Sequence, residues 1–269
     1  MGTRRIVIPL VQSGSMGLKN CIYGCFLLFG TVSFSLDAKS IIRVGGYLFP
    51  PFVFSVNTKE EGLTKQFIHL MNKVQNEYEF VFIPTSSKRR YRDFKHKKFD
   101  IIIFEDKHWG WQKYPVENTF SFLKGGEVYI TKRTPTRTQA YFNNLKNKSI
   151  RGYIGYHYAF SDYITDKDIL KKKYNMIVTR SHSGNIRSVI KGRADIAIVS
   201  KAYLQYYFLK YPDSRKQILI SQRLDQTYNH AILFRQNGPI SQVALERILH
   251  LLLESKEFRQ LVQRYQLQR

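Results

Sequence analysis

The amino-acid sequence predicts an α/β protein of two lobes, each built on a mixed, mostly parallel sheet, with a crevice between them. Three observations carry this expectation. One local design occurs twice: a basic amphipathic segment, a tight turn, an Asp, then a short apolar strand. It reads Lys97-Lys98-Phe99-Asp100 before Ile101-Ile102-Ile103-Phe104, and Lys191-Gly192-Arg193-Ala194-Asp195 before Ile196-Ala197-Ile198-Val199. The two Asp residues lie 95 positions apart, about one small lobe of chain. In each half, strand-like runs alternate with helical stretches, which favours parallel pairing through right-handed crossovers.

Composition sets the frame for the elements. A chain of 269 residues with 43% apolar content, 18 Tyr and 19 Phe has ample material for a core. Cys21 to Phe34 form a nearly continuous apolar run, preceded by Arg4, Arg5 and Lys19 and followed by small or polar residues. A run of this length falls short of the roughly 20 residues that span a bilayer, and matches the core of a secretory signal peptide. Residues 1–38 are therefore read as a signal peptide, with Met16 as an alternative start. Both cysteines fall inside it, so the mature chain from about Lys39 has neither a disulfide nor a reactive thiol. That chain keeps 40 basic and 19 acidic residues, a net +21 out of the full +23. A nucleic-acid partner would suit such a charge, but a secreted location argues against it.

The elements follow in order. Ile41–Gly46 reads as a first strand, stopped by the Pro50-Pro51 turn. Leu63, Phe67, Leu70, Met71 and Val74 then mark one face of an amphipathic helix, with Gly62 just before it. Phe80–Ile83 reads as a strand closed by Pro84, and a helix near 88–95 leads to the Asp100 strand. After a looser stretch, 106–118, Glu127–Thr131 reads as a strand leaving the first lobe, and 132–144 as a linker. The second unit runs from Ser149–Gly155 through a helix at 166–173, a strand at Met176–Val178 and the Asp195 strand. A Tyr-rich helix from Ala202, a strand at 217–221 and a returning strand at 230–234 come next. Two helices close the chain, with Val243, Ile248, Leu249 and Leu252 on one and Phe258, Leu261, Val262 and Tyr265 on the other.

This order and several local motifs resemble the family 3 periplasmic solute-binding proteins of ABC transporters. The residues concerned are Ile42-Arg43-Val44-Gly45 with Phe49-Pro50-Pro51-Phe52, Gly62-Leu63, Lys98-Phe99-Asp100-Ile101-Ile102, and Phe120-Ser121-Phe122. Further on they are 145–152, Gly192-Arg193-Ala194-Asp195-Ile196-Ala197 and Glu257-Phe258. The resemblance implies the type II periplasmic-binding fold, with lobe 1 at 39–130 and 226–269, lobe 2 at 131–225, and two hinge strands between. It also implies a non-enzymatic, cofactor-free periplasmic monomer. Such a protein closes on a small polar or anionic molecule and presents it to a membrane permease or sensor. Two departures set the cargo apart. Amino-acid binders of this family carry an Arg twelve residues after the first Asp and an Asp five residues after the second; here those positions hold Gln112 and Ser200. A standard α-amino acid is thus not the expected ligand.

Candidate site residues follow from these positions, each with a structural alternative. Phe49 matches the aromatic that covers the ligand in the family, or staples its own turn. Ser87, with Ser86, follows a strand end and serves a ligand oxygen or caps the next helix. Glu105, Trp109, Trp111 and Lys113 follow the Asp100 strand, where rings stack on a ligand or fill the core. Gly155, Tyr156 and His157 follow the first strand of the second unit, and Ser200 inherits its position from the family spacing. Asp100 and Asp195 are read as structural, and the run 88–92 as a solvated basic face. The seven histidines show no metal-ligand spacing. One rival is a periplasmic dehydratase on the same fold, using Glu105, His157 and Lys113 as acid and base. Another is a basic sensory or interaction module.

Overall fold

The structure, a computed structural model, describes residues 38–54, 61–265 and 267. The signal peptide expected over 1–38 falls almost wholly outside them. Two parallel three-stranded units, each β-α-β-α-β, form the body. The first comprises β1 (Ser40–Gly46), α1 (Leu63–Lys73), β2 (Tyr78–Pro84), α2 (Arg90–Lys95) and β3 (Ile101–Glu105). Five elements in the same order form the second: β6 (Ile150–Tyr153), α3 (Lys167–Tyr174), β7 (Met176–Thr179), α4 (His182–Ile190) and β8 (Ile196–Ser200). In each, the first strand sits between the other two: β2-β1-β3 and β8-β6-β7.

Two long strands join these units. β5 (Leu123–Lys132) and β9 (Ile218–Arg235) pair with each other antiparallel, β9 also against β3 and β5 against β8. The sheet order is therefore β2-β1-β3-β9-β5-β8-β6-β7, with a short β4 (Val116–Asn118) on β9. Sequence reading expected two separate strands at 217–221 and 230–234. Instead one 18-residue strand runs through the polar stretch between them, because β5 supplies its hydrogen bonds where no core does. The β5–β9 ladder breaks register between Glu127 and Val128 and again between Val128 and Ile130. There the Tyr129 N–H turns to the Ser221 hydroxyl, 3.0 Å away.

The repeated Asp has one job in both units. Asp100 Oδ2 accepts from the Arg43 N–H at 3.0 Å and from Arg43 Nε at 2.9 Å, and Oδ1 from Nη2 at 2.7 Å. Asp195 Oδ2 accepts from the Ser149 N–H at 2.8 Å and its hydroxyl at 2.7 Å. Each thus ties the start of its strand to the neighbouring β1 or β6 segment. Three residues before each Asp the backbone is left-handed, φ 54° at Lys97 and 68° at Gly192.

Helix ends follow local chemistry. Asp166, Ser181 and Ser255 cap α3, α4 and α8 (Lys256–Arg264) by accepting from N–H groups of the first turn. Gly62 opens α1 because a Cβ there would lie 2.2 Å from the Phe52 carbonyl oxygen. The first N–H groups of α1 instead donate to the Pro51 and Phe52 carbonyls, which pins the loop carrying Phe49 to the helix. On α7 (Gln242–Glu254) the buried stripe is Leu245, Ile248, Leu249, Leu252 and Leu253. Val243, read from sequence as part of that face, is 80% exposed; five residues before Ile248 it points well off the stripe. Among the described residues no helix is long and apolar enough to cross a membrane.

Candidate functional site

The carboxyl ends of β1, β2, β3 and β6 meet where the two units face each other. A cavity there is lined by Tyr47, Phe49, Arg90, Trp109, Glu127, Gly155, Tyr156, His157 and Gln226. Its volume is about 10 Å³, room for roughly one water molecule. The units are in contact around it. Ser87 donates to the Ile154 carbonyl at 3.0 Å, and the Tyr156 hydroxyl to the Leu48 carbonyl at 3.4 Å. A Cβ on Gly155 would stand 2.7 Å from Ser87 Oγ, at a backbone φ of 79° that already favours glycine. Phe49 meets Trp109 edge-on at 5.8 Å and Tyr156 edge-on at 5.6 Å.

Beneath the cavity lies a buried ion pair. Arg90 is 1% exposed and Glu105 not exposed at all. Arg90 Nε donates to Glu105 Oε2 at 3.0 Å and Nη2 to the Trp109 carbonyl at 3.3 Å, while Nη1 donates to the Ser87 carbonyl. The guanidinium also lies 4.6 Å from the Tyr47 ring and 4.4 Å from the Tyr91 ring. Glu105 accepts further from the Tyr47 hydroxyl at 2.5 Å and from Trp111 Nε1. Burial pushes the Glu105 carboxyl up, and the Arg90 charge with the Tyr47 and Trp111 donors pulls against it. A guanidinium and two other donors thus match this carboxyl. A bulge at β3 delivers it: Phe104 has φ 61° and is the extra residue between Ile103 and Glu105 against β9.

Above the ion pair stands Glu127, 3% exposed, on β5. Gln226 Nε2 donates to it at 3.3 Å and also to the His157 carbonyl. Burial, then the Asp225 charge, pushes its carboxyl well up, against the pull of Gln226. Asp225 is itself held by the Tyr129 hydroxyl at 2.5 Å and the Ala159 and Phe160 N–H groups at 2.9 and 3.0 Å. His157 is pushed down to about 4 by burial and by the Arg90 charge, so its ring is neutral at pH 7.

The residues singled out from sequence divide into two sets. Phe49, Trp109, Tyr156 and His157 line the cavity. Ser87 borders it, its hydroxyl spent on Ile154; Ser86 accepts from the Arg89 N–H at the start of α2. Trp111 is wholly buried, packed on Phe94, Tyr91 and Tyr114. Glu105 faces Arg90, and Lys113 is exposed and does not line the cavity. Ser200 is 2% exposed, its hydroxyl accepting the Tyr203 N–H to cap α5 (Lys201–Lys210). The acid–base trio Glu105, His157 and Lys113 is therefore not assembled.

Sequence reasoning missed Tyr47, Arg90, Glu127 and Gln226. Arg90 lay inside a run read as a solvated face. Its partners at one side of α2, Asp93 and Phe94, show the i, i+3, i+4 spacing of a buried stripe. The basic run thus has one inward member.

At the level of sequence, no protein-family model and no curated protein matches the chain. In structure it is similar to a substrate-binding protein of an ABC uptake transporter from Streptococcus pneumoniae with bound histidine. That match has 15% identity over 84% of this chain and 92% of the other, with a TM-score of 0.66. The ligand-binding core of GluR0 from Nostoc punctiforme, in complex with L-glutamate, matches at 13% identity, 84% and 98% coverage and TM-score 0.63. An ancestral amino-acid-binding protein, precursor of cyclohexadienyl dehydratase, matches at 16%, 84% and 95%, TM-score 0.60. The chain shares the two-lobed α/β fold of these binding proteins.

Proposed function

We propose that this chain is a periplasmic solute-binding protein that closes its two lobes on a small polar molecule and presents it to an ABC permease or a sensor. The lobes are taken as 39–130 with 226–269, and 131–225, behind a signal peptide over 1–38. The observation that carries this reading is the cavity at the carboxyl ends of parallel strands, lined from both units and from the strands that join them. Ligands of open α/β folds collect at such places, and hinge closure is the ordinary motion of two lobes on two strands. The buried Arg90–Glu105 pair serves as the rigid floor beneath Tyr47 and Trp109. No catalytic step is assigned, because Glu105 is saturated and Lys113 stands apart.

Thermal-shift screening of the mature protein against a metabolite library tests the reading, with small-angle scattering on the hits. A solute that raises the melting temperature and contracts the molecule is expected. No such solute, with unchanged scattering throughout, would refute it. Turnover of prephenate-like substrates would move the assignment to the dehydratase rival.

A further inference from the structure

We propose that, once the lobes part beyond the one-water cavity of this structure, the group received there is an organic ammonium cation, held between the Glu127 carboxylate and the rings of Tyr47, Phe49, Trp109 and Tyr156. The inference rests on the solute-binding reading and names the substrate class of that site.

Charge accounting inside the cavity points this way. Arg90 carries the only guanidinium on its wall among the described residues, and that charge is matched by Glu105 and used by two carbonyls. His157 is neutral, so it adds no positive charge. Glu127 remains, nine-tenths buried and more, with one amide donor at 3.3 Å and no ion pair among the described residues. A carboxylate guest would find no free guanidinium among the described lining residues. An ammonium guest finds an unmatched acid and four aromatic side chains, a combination that holds desolvated cations well. The usual anchor positions agree, since Gln112 is exposed and Ser200 caps a helix.

Binding then carries a proton. In the empty site burial and the Asp225 charge push the Glu127 carboxyl up. The Glu127 charge also acts on Tyr129, Tyr156, Tyr158 and Tyr228, whose hydroxyls burial pushes up. Where Glu127 is protonated, a cation pairing with its carboxylate expels that proton to solvent, so Glu127-COOH and the free cation give the ion pair and one hydrogen ion. Affinity rises with pH below the empty-state pKa, by up to tenfold per unit for one proton.

The test titrates tetramethylammonium chloride and putrescine dihydrochloride into the mature protein, with sodium chloride at matched ionic strength as control. Tryptophan fluorescence and calorimetry in two buffers of different ionisation enthalpy are read. We expect saturable binding of at least one cation, tighter as pH rises and accompanied by proton release. Glu127→Gln should keep the fold, weaken the cation by roughly 30-fold or more, and release no proton. Trp109→Leu, an independent variant, should weaken it about tenfold. Cation titrations indistinguishable from sodium chloride would overturn the proposal. So would a neutral or anionic solute that closes the lobes with an affinity Glu127→Gln leaves unchanged; the solute-binding reading would then stand without it. If no solute of any charge closes the lobes, both fall.

Discussion

Replacing Arg90 by Met tests the floor of the site. The substitution keeps the unbranched stem as far as the Nε position and removes the guanidinium, leaving Glu105 at zero exposure with only Tyr47 and Trp111 as donors. Breaking a buried pair from one side costs about 3–5 kcal/mol, because the surviving charge has no solvent to return to. For a body of this size that is roughly 6–20 °C in melting temperature. The deficit depends on pH with a definite sign. Without Arg90 the Glu105 carboxyl, already pushed up by burial, rises further. An acid whose folded pKa is raised stabilises the fold below its unfolded value and loses that contribution as pH rises through the folded one. Arg90→Met should therefore be less destabilised at pH 5 than at pH 8. The double variant Arg90→Met, Glu105→Leu removes both charges, and should recover to within about 2 kcal/mol of the parent. Urea denaturation at both pH values reads all three proteins. A cost under about 1 kcal/mol for the single variant, or a double variant as unstable as the sum of the singles, would refute the account of a charge-matched pair.

Further outcomes follow from the same geometry. Lys97→Gly should stabilise the fold by about 1 kcal/mol and Gly192→Ala should cost about as much, since both positions are left-handed and only the second already has glycine; paired melting curves check this. Burial pushes the Asp195 carboxyl up, but the Ser149 donors and the Tyr141 hydroxyl outweigh it, leaving it below its ordinary value of 3.8. That stabilisation is present above pH 4 and lost as pH falls below it, so Asp195→Asn should flatten the acid limb of a stability–pH curve. Gly155→Ala places a Cβ on Ser87 Oγ at φ 79°, and should hold the lobes apart, visible as a larger radius of gyration and weaker ligand binding. Ser200→Ala should cost about 1 kcal/mol through the lost cap of α5 and leave ligand affinity unchanged; an affinity loss without a stability loss would return Ser200 to the site.

Much of the scaffold was legible in the order of residues. The apolar stripes of α1 and α8, the capping alternative for Ser86 and the doubled Asp-then-strand design are patterns within a few turns of chain, where period and cap chemistry act directly. The site was legible only at its rim. Phe49, Trp109, Tyr156 and His157 come from segments that end strands, and strand ends point to the crevice. Ser200 and Trp111 come from such segments too, but one hydroxyl is taken by a helix N–H and one indole N–H by Glu105, choices that spacing does not reveal. Val243 and the polar middle of β9 show the same limit: an apolar residue lies outside the stripe, and a polar stretch is a strand because β5 lies beside it.

The sequence by itself determined that two α/β units of one design stand in series, with Gln112 twelve residues after the first Asp and Ser200 five after the second. Only the tertiary structure decided which charges are matched. Arg90 faces inward because Glu105, fifteen residues away, reaches it across the floor, and Glu127 is left unmatched because the partner beside it on β9 is an amide. Matching of buried charge depends on distances of a few ångström between segments far apart in the chain. Such distances exist only once the strands have paired.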